Sequence, residues 1–432
     1  MLRQMKESNI EWVGEIPLDW EINTMSQIFT QVKNKNTDLR EQNLLSLSYG
    51  KIIRKNIDTL GGLLPDTFDG YNIIDEGDIV LRLTDLQNDH KSLRVGLATE
   101  RGIVTSAYIT IRNRSESLPK YLYYYLHSFD ISKGFYGMGA GVRQGLNWDG
   151  MKWLKILTPP VLEQQRIVSL LDTACKNIDL VIEETRASIE EYKKLKQALI
   201  TKAVTKGVRP GRVMKDSGVE WIGEIPADCE MARFQDFGDY KKGPFGSSIT
   251  KSMFVEKSTN TYKVYEQKNA INKDSQLGYY YISEEKYHEL LGFAVKAGDI
   301  IVSCAGTIGE CFILPVDCES GVINQALMRI RINTNTEGRY FVYLFGSVLK
   351  YIADKYSNGS AMKNIPPFSI LKKVKVPLFS LDEQHEIADW LDEKTEEINQ
   401  LISKKESFLS EMENYKRSII YEYVTGKKEV PA

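Results

Sequence analysis

Residues 163–205 carry a long, regular alternation of apolar and polar positions. The stretch has no glycine and no proline, and its apolar residues recur every three or four positions, the spacing of one face of an α-helix. This face comprises Ile167, Leu171, Ala174, Ile178, Val181, Ile189, Tyr192, Leu195 and Leu199. At the rise of an α-helix, such a stretch extends over roughly 65 Å, longer than an ordinary helix of a globular domain.

The same design returns 220 positions later, in residues 383–425. The identical pairs are Glu163 and Glu383, Gln164 and Gln384, Ile167 and Ile387, Leu171 and Leu391, Asp172 and Asp392, Ile178 and Ile398, Ile182 and Ile402, Val204 and Val424, and Thr205 and Thr425. Because a long amphipathic helix needs a partner for its apolar face, we expect two long helices, over 159–207 and 378–426, that pack on each other. The alternative is two unrelated surface helices. The predicted packing positions include Ile167, Leu171, Ile178, Leu195, Ile387, Leu391, Ile398 and Ile402.

A second repeat precedes each globular part. Residues 8–22, SNIEWVGEIPLDWEI, return at 217–231 as SGVEWIGEIPADCEM, with nine of fifteen positions identical. We call these the arm segments; the first lies in an N-terminal arm, 1–22, and the second in a linker, 208–231. Each combines a tryptophan with a glycine and a proline, which favours an irregular arm with a buried indole. A period of 210 to 220 residues indicates a duplicated module and not a solenoid.

Two globular parts, 23–158 and 232–377, lie between the arm segments and the helices. Each contains a Gly-Asp turn followed by an apolar strand, at Gly77-Asp78 and Gly298-Asp299, and each continues into a tyrosine-rich helix. The pattern predicts a mixed α/β (α+β) fold with an internal pseudo-twofold repeat. The matching positions are mainly apolar residues and turn glycines, whereas the loops are unrelated. Two copies of one scaffold with unlike loops indicate two readers of different ligands.

Composition limits the class of protein. With 432 residues, 42% hydrophobic and 26% charged positions, the chain is expected to form several soluble domains. No apolar run is long enough to span a membrane and no signal peptide is evident, so we expect a cytoplasmic protein. The five cysteines and four histidines are scattered, which argues against structural zinc or a disulfide framework.

The net charge of −2 hides local asymmetry. Residues 31–56 carry six Lys or Arg against two acidic residues, and residues 241–273 carry seven lysines against two. Residues 379–414 have eleven acidic residues and three lysines. Basic globular parts joined to an acidic helix are compatible with local contact to DNA at a net charge near zero.

These repeated motifs resemble the specificity (S) subunit of type I restriction–modification systems over essentially the whole chain. The resemblance is carried by the arm segments, by the Gly-Asp-Ile strand starts, by the loop of residues 306–309, and by the opening of each long helix. The helix openings read Pro160, Leu162, Glu163, Gln164, Gln165, Ile167, Leu171 and Asp172, and then Pro377, Glu383, Gln384, Ile387, Leu391 and Asp392. One departure is that residues 83–86 of the first half do not match residues 305–308 of the second, so loop roles there are not transferred between halves.

The resemblance implies two target-recognition domains, each reading one half of a bipartite, asymmetric site in double-stranded DNA. It implies an antiparallel coiled coil that spaces these domains, and two methyltransferase (M) subunits and restriction (R) subunits as partners. No catalytic residue, metal or cofactor is then expected in this chain, because S-adenosylmethionine belongs to the M subunit, and ATP and Mg to the R subunit. A helix of about 65 Å is close to two turns of B-DNA.

Candidate DNA contacts follow from side-chain chemistry. Phosphates are neutralised by cations, and base edges are read by Arg, Asn or Gln. The phosphate candidates are Lys33, Lys35, Arg54, Lys55, Lys241, Lys242, Lys251 and Lys268, with the hydroxyls of Ser247 and Ser248 in a loop suited to close backbone approach. The base-reading candidates are Arg82, Arg143, Gln144, Gln267, Asn269, Asn324 and Gln325. Ordinary solvated lysines and structural amides are the alternatives.

Two other functions remain open at this stage. A stand-alone adenine-N6 methyltransferase is suggested by FYGMG at 135–139 and NIPPF at 364–368. The first motif follows a predicted helix instead of a strand, and Ile365 separates Asn364 from the prolines, which would misplace an amide that must hold a flipped base. No phosphate-binding GxxxxGK[ST] loop is present. The other alternative is a coiled-coil scaffold that assembles proteins without reading a sequence.

Overall fold

The computed structural model describes residues 3–56, 67–89, 92–138, 145–356 and 367–431. Two compact units divide the chain: Met1–Ala187 together with Glu406–Ala432, and Ser188–Lys405. Each unit contains one globular part and a portion of each long helix, so the units are not consecutive stretches of sequence. The mixed α/β class is confirmed.

The two long helices span Val161–Lys206, with 46 residues, and Leu381–Val424, with 44. They begin and end slightly inside the predicted bounds. Contacts within each unit show that the helices pack on each other. In the first unit Asp179 contacts Lys416, and Arg186, seven residues later, contacts Glu413, three residues earlier on the second helix. This order is that of antiparallel helices.

The packed face of the first long helix repeats every seven residues. Its buried or half-buried positions form two such series: Leu171, Ile178, Thr185, Tyr192 and Leu199, and Cys175, Ile182, Ile189, Lys196 and Ala203. A seven-residue repeat is the signature of a coiled-coil seam. Among the predicted packing positions, those that are buried are Ile167, Leu171, Ile178, Ile387, Leu391 and Ile398. Ile402 is half-buried.

Leu195 is the exception among the predicted packing positions. Its side chain is 47% exposed, and Val181 on the predicted stripe is 37% exposed. The prediction followed the 3.6-residue period of a single helix, whereas the helix pair follows a period of 3.5, so the seam continues from Tyr192 to Lys196 and not to Leu195. Placing Leu195 in the helix contact was wrong.

Both units contain a four-stranded antiparallel sheet with the same order of strands. In the first unit the order is Phe29–Gln31, Ile109–Asn113, Ile79–Leu81 and Val95–Leu97. In the second unit it is Gly238–Lys242, Leu327–Ile332, Ile300–Ser303 and Cys311–Ile313. The predicted repeat is therefore a repeat of topology as well as of letters.

Smaller sheets and helices complete each unit. The first unit adds strands Leu45–Ser48, Lys51–Arg54, Asn72–Ile74, Gly102–Val104, Glu21–Thr24 and Lys155–Thr158, and helices Met25–Ile28, Pro119–Ile131 and Trp148–Met151. The second adds strands Thr261–Tyr265, Tyr281–Ser283, Ala294–Val295, Gly321–Ile323, Glu230–Arg233 and Lys375–Leu378, and helices Gln267–Asn272, Glu284–Glu289, Gly338–Tyr356 and Phe368–Leu371. The cores are apolar and centre on Trp20, Tyr121 and Leu171 in the first unit and on Phe234, Phe341 and Leu391 in the second.

The Gly-Asp motif fixes a charged pair inside each sheet. Asp78 is buried and accepts hydrogen bonds from Arg112 at 2.7 Å, and Asp299 is bound by Arg331 at the same distance. Each aspartate also accepts a backbone N–H three residues upstream. Ionic hydrogen bonds of this kind offset the cost of burying the carboxylate. The pairing with Asp78 raises the pKa of Arg112 above its ordinary value.

The Glu-Gln opening of each long helix joins the helix to its own globular part. Gln164 accepts the N–H of Leu118 at 2.8 Å and donates to the carbonyl of Pro159, while Gln384 accepts the N–H of Glu337 at 2.9 Å. The preceding glutamates bind arginines near the arm segments. These ion pairs join Arg3 to Glu163 and Asp19, and Arg212 to Glu383 and Asp228.

The arm segments are more regular than predicted. In the first unit Met5–Glu7 pairs with Glu15–Pro17, and in the second Met214–Asp216 pairs with Glu224–Pro226. The expectation of an irregular arm is therefore wrong, because a strand just upstream of the repeated letters supplies the backbone partner. The indole of Trp12 packs against Tyr125 and Phe129, and the indole of Trp221 stacks on Tyr351 at 5.1 Å.

Candidate nucleic-acid interface

In the second unit, several candidate residues lie at one edge of the four-stranded sheet. Strands Gly238–Lys242 and Ile300–Ser303 are both antiparallel to Leu327–Ile332, so they run in the same direction and end at the edge where that strand begins. Lys241 and Lys242 end the first of these strands, and Asn324 and Gln325 precede the start of the middle strand. We call this end of the sheet, where the two outer of these three strands end and the strand between them begins, the recognition edge of the second unit.

Glycine at position 243 permits the loop that follows Lys242 to lie against residues 324 and 325. The N–H of Gly243 donates to the carbonyl of Leu327 at 2.9 Å, and a Cβ at this glycine would stand 1.9 Å from the carbonyl oxygen of Asn324. Pro244 is buried, and the N–H of Ser248 donates to the carbonyl of Phe245 at 2.8 Å. The loop is therefore held at its start and by an internal turn.

A cavity of about 500 Å³ opens beside this loop. Its lining residues are Lys241, Lys242, Gly243, Pro244, Phe245, Gly246, Phe293 and Gln325. None of them is acidic, and the ammonium of Lys241 lies 5.1 Å from the centre of the Phe293 ring. The site presents positive charge, an exposed amide and aromatic surface, which suits an anionic, partly apolar ligand.

Three neighbouring candidates are tied into the scaffold. Asn269 is fully buried, and its amide donates to the carbonyls of Asp274 and Leu277 at 2.9 and 2.7 Å and accepts the N–H of Glu266. Reading a base with Asn269 is incompatible with these contacts, and that prediction is wrong. Gln267 donates to the carbonyl of Ala305 and thereby holds the loop of residues 305–308 at the recognition edge. Lys268 forms an ion pair with Glu266 at 2.8 Å.

Other candidates of the second unit are accessible. Ser247 and Lys251 are exposed and Ser248 is half-buried. Gln325 is exposed, whereas Asn324 is half-buried and its side-chain oxygen accepts the N–H of Ala326 at 3.0 Å. Gln325 is thus better suited than Asn324 to meet a base edge.

The first unit presents a matching edge. Arg112 stands opposite Thr30 and Arg331 stands opposite Asp239, and both arginines bind the buried aspartate of their unit. Lys33 lies three residues after Thr30, and Lys242 lies three residues after Asp239. The two lysines therefore occupy equivalent places, and both are exposed.

The remaining candidates of the first unit differ in how tightly they are held. The ammonium of Lys35 donates to the carbonyl of Gly70 at 2.8 Å, and Lys55 is exposed. Arg54 is 73% exposed but binds Glu100 through its Nε at 2.8 Å, which raises the pKa of its guanidinium. Arg82 lies 3.8 Å from Asp89. Arg143 and Gln144 lie outside the described residues.

Sequence reasoning missed Arg94, which organises the loop beyond Arg82. Arg94 is fully buried, and its guanidinium donates to the carbonyls of Arg82 and Thr84 at 3.0 and 2.8 Å, and also to the carbonyl of Asp89. Its backbone N–H donates to Asp130 at 2.6 Å. A single arginine between Leu93 and Val95 gave no signal of this role in the sequence.

Two titratable groups of helix Pro119–Ile131 have shifted pKa values. Burial raises the pKa of Asp130 to about 6. Burial, assisted by the positive charges of Lys416 and Arg417, lowers the pKa of His127 to about 4. No described residue supplies a hydrogen-bond partner for Nδ1 of His127. The imidazole is therefore neutral near pH 7 and serves packing, stacked on Tyr123 at 5.5 Å.

In the described part of the chain, no three His, Cys, Asp or Glu side chains stand close enough to hold a metal ion. Burial raises the pKa of the thiols of Cys229 and Cys304 to about 11, and that of Cys311 to about 12, so all three stay protonated near pH 7. Among the described helices, none is long and apolar enough to cross a membrane.

A sheet and helix scaffold that occurs twice, with the same internal charged pairs and with unlike loops at the edges, defines a duplicated recognition protein. The chain belongs to the family described as the type I restriction modification DNA specificity domain, whose model matches residues 17–191 and 226–409. This membership confirms the resemblance drawn from the motifs, and DNA target recognition is the role of the family.

Comparisons with individual proteins agree. The putative type I restriction enzyme MjaX specificity subunit of Methanocaldococcus jannaschii is 25% identical over 444 residues, which cover 100% of this chain and 99% of the relative. A chain solved for the complex assembly and conformational transition of the type I R-M system matches with a TM-score of 0.71 at 16% identity, covering 96% of this chain and 99% of that one. The HsdS subunit from Thermoanaerobacter tengcongensis matches with a TM-score of 0.51 at 16% identity, covering 96% and 98%. The two structures are similar to this chain in fold.

Proposed function

We propose that the chain is a non-catalytic specificity subunit that reads a bipartite, asymmetric site in double-stranded DNA. Its partners are two M subunits, which methylate adenines, and R subunits, which cut. The chain itself is proposed to hold no cofactor: S-adenosylmethionine belongs to the M subunits, and ATP and Mg to the R subunits. The proposed location is the cytoplasm, where the DNA to be read is found.

One observation carries the proposal. The shared motifs form structural contacts inside both units, whereas the accessible residues at the sheet edges differ. The Asp78–Arg112 and Asp299–Arg331 pairs are the same contact made twice. At the edges, by contrast, the described polar residues differ around a shared lysine, at positions 33 and 242. A constant frame with different edges supports two domains that read different half-sites.

The mechanism is positional. The exposed lysines at the sheet edges would neutralise DNA phosphates and set the register of each unit, and accessible amides such as Gln325 would read base edges in the major groove. Adenines within the two half-sites would then be flipped into the M subunits. The long helices would set the distance between the half-sites, because their packed seam gives them a defined length.

Mapping N6-methyladenine in the host genome, with and without this gene, tests the proposal. We expect deletion to abolish methylation at one bipartite motif, which also identifies the two half-sites. Complementation with Lys242→Glu should reduce methylation at that motif, whereas Lys296→Glu, an exposed lysine at the opposite edge of the same sheet, should not. Survival of every methylated motif after deletion would reject the proposal and favour an assembly scaffold.

A further inference from the structure

The aromatic side chain of Phe245 is exposed to solvent at the recognition edge of the second unit. Its side chain is 88% exposed, although an aromatic ring of this size is strongly favoured to be buried. It lies in the loop Gly243-Pro244-Phe245-Gly246 and lines the cavity that Lys241, Lys242 and Gln325 also line. An exposed aromatic ring that lines one cavity with two lysines and an exposed amide is available for contact with a ligand.

The loop fixes the backbone that carries this ring before any ligand arrives. Gly243 is pressed against the carbonyl of Asn324, Pro244 is buried and restricts its own backbone angle, and the carbonyl of Phe245 accepts the N–H of Ser248 at 2.8 Å. Only glycine fits at position 243. These contacts fix the backbone at Phe245, so the loop places the side chain of this residue at the recognition edge.

The surroundings restrict what the ring can meet. Lys241 and Lys242 attract phosphates, and Gln325 offers an amide that pairs with the N6 and N7 edge of adenine in the major groove. In that groove, the C5-methyl group of thymine is the apolar feature of a base edge. It lies on the same A·T pairs that an amide reads, so an amide and a ring lining one cavity are complementary to A·T-containing sequence.

We propose that Phe245 is a specificity-determining residue that reads the C5-methyl group of a thymine in the half-site of the second unit. This inference rests on the proposed function and deepens it, because it names the chemical group that one residue recognises. The ring excludes water from the methyl group, while the two lysines hold the adjacent phosphates.

The test uses the complex of the full chain with its M subunits and duplexes carrying the mapped motif. Each thymine of the second unit's half-site is replaced, one at a time, by deoxyuridine, which lacks only the methyl group. Burial of one methyl group predicts that a single replacement weakens binding by roughly fourfold. Phe245→Ala should weaken binding to the normal duplex by at least that factor. The affinity of this variant should not change when the same thymine is replaced by deoxyuridine.

Two matched variants complete the design. Val316→Ala removes an apolar side chain that is 95% exposed in the turn at the opposite edge of the same sheet, and it should keep the wild-type sensitivity to deoxyuridine. Phe245→Leu should keep part of the sensitivity, because leucine still offers an apolar contact. Circular dichroism of each variant confirms that the fold is retained.

The outcomes separate this inference from the proposed function. Loss of affinity in Phe245→Ala without any coupling to a methyl group would overturn methyl reading and indicate a ring that wedges between bases. A half-site without thymine in either strand would overturn it as well. Unchanged affinity in Phe245→Ala, together with weakened binding in Lys242→Glu, would reject only the role of Phe245. Failure of both variants to affect binding, with no motif lost on gene deletion, would reject the proposed function.

Discussion

Lys416 on the second long helix donates to both carboxylate oxygens of Asp179 on the first, at 2.6 and 2.7 Å. The equivalent contact in the other unit, 220 residues away in both partners, joins Lys196 to the amide oxygen of Asn399 at 2.8 Å. The same seam position is therefore an ion pair in one unit and a hydrogen bond from an ammonium to an uncharged amide in the other. Burial lowers the pKa of Lys196.

Asn399→Asp should convert the weaker contact into the stronger one. We expect the free energy of unfolding to rise by about 0.5 to 1 kcal/mol in low salt, since a partly exposed ion pair contributes that much. Asp179→Asn should lower it by a similar amount. Urea denaturation in low and high salt measures both. Equal effects in 1 M salt would contradict an electrostatic origin, because ionic strength of that order screens exposed pairs.

Arg331→Ala should destabilise the second unit strongly. The substitution leaves the carboxylate of Asp299, which is 1% exposed, without its cation. An unpaired buried charge of this kind costs about 2 to 4 kcal/mol. The double variant Asp299→Asn with Arg331→Ala should recover part of the loss, because an amide is cheaper to bury than a carboxylate. A double variant as unstable as the single one in urea titrations would show that the pairing is not the cause.

His127 should contribute stability to the first unit that is lost on acidification. The folded-state pKa, about 4, lies below the ordinary value of 6.5. Stability from the neutral imidazole is thus fully present above pH 6.5 and is lost as pH falls towards 4, by roughly 2 to 3 kcal/mol. His127→Phe keeps the ring stacked on Tyr123 and should remove this contribution of His127, which urea titrations between pH 4 and 7 of the variant and the wild type measure. The raised pKa of Asp130 acts oppositely, since its stabilising neutral form is lost as pH rises from about 4 through 6; the variant should therefore lose stability with rising pH.

Gly243→Ala should impair DNA binding more than Gly246→Ala. A Cβ at position 243 meets the carbonyl oxygen of Asn324 at 1.9 Å, whereas a Cβ at position 246 meets no atom of the described residues within 4 Å. The first substitution must push the loop off the sheet edge, and the second leaves it in place. We expect at least a tenfold loss of affinity, about 1.4 kcal/mol, for the first alone. Equal affinities by fluorescence anisotropy would show that the loop does not contact DNA.

One heptad inserted into each long helix, at matching levels of the seam, should change the gap of the recognised motif and not its letters. Seven residues add roughly 10 Å of helix, which corresponds to about three base pairs of DNA. Methylation mapping reads both quantities at once. An insertion of four residues is the control, since it breaks the seven-residue repeat and should destabilise the helix pair. A motif with unchanged gap would contradict the proposed role of the helices.

The sequence predicted the repeat, the long helices and the Gly-Asp strand starts, because each rests on periodicity or on local turn chemistry. It failed where partners are distant. Asn269 was chosen for its amide, yet that amide is used by carbonyls of Asp274 and Leu277, which no local pattern indicates. Leu195 failed because single-helix periodicity drifts away from that of a helix pair within a few turns. Which exposed groups touch DNA depends on loops that differ between the halves, so the repeat gave no help there.

The ion pairs between Arg3 and Glu163 and between Arg212 and Glu383 each close within one unit. These two ion pairs therefore do not involve the opposite half of the sequence, whereas Trp12 of the first arm also accepts a hydrogen bond from Tyr421 on the second long helix. A genetic exchange that crosses over in the arm segment and in the helix opening of one half would replace the globular part between them and leave both long helices in place. Such a protein can acquire a new recognition part by inheritance from a relative while its helix pair stays the same.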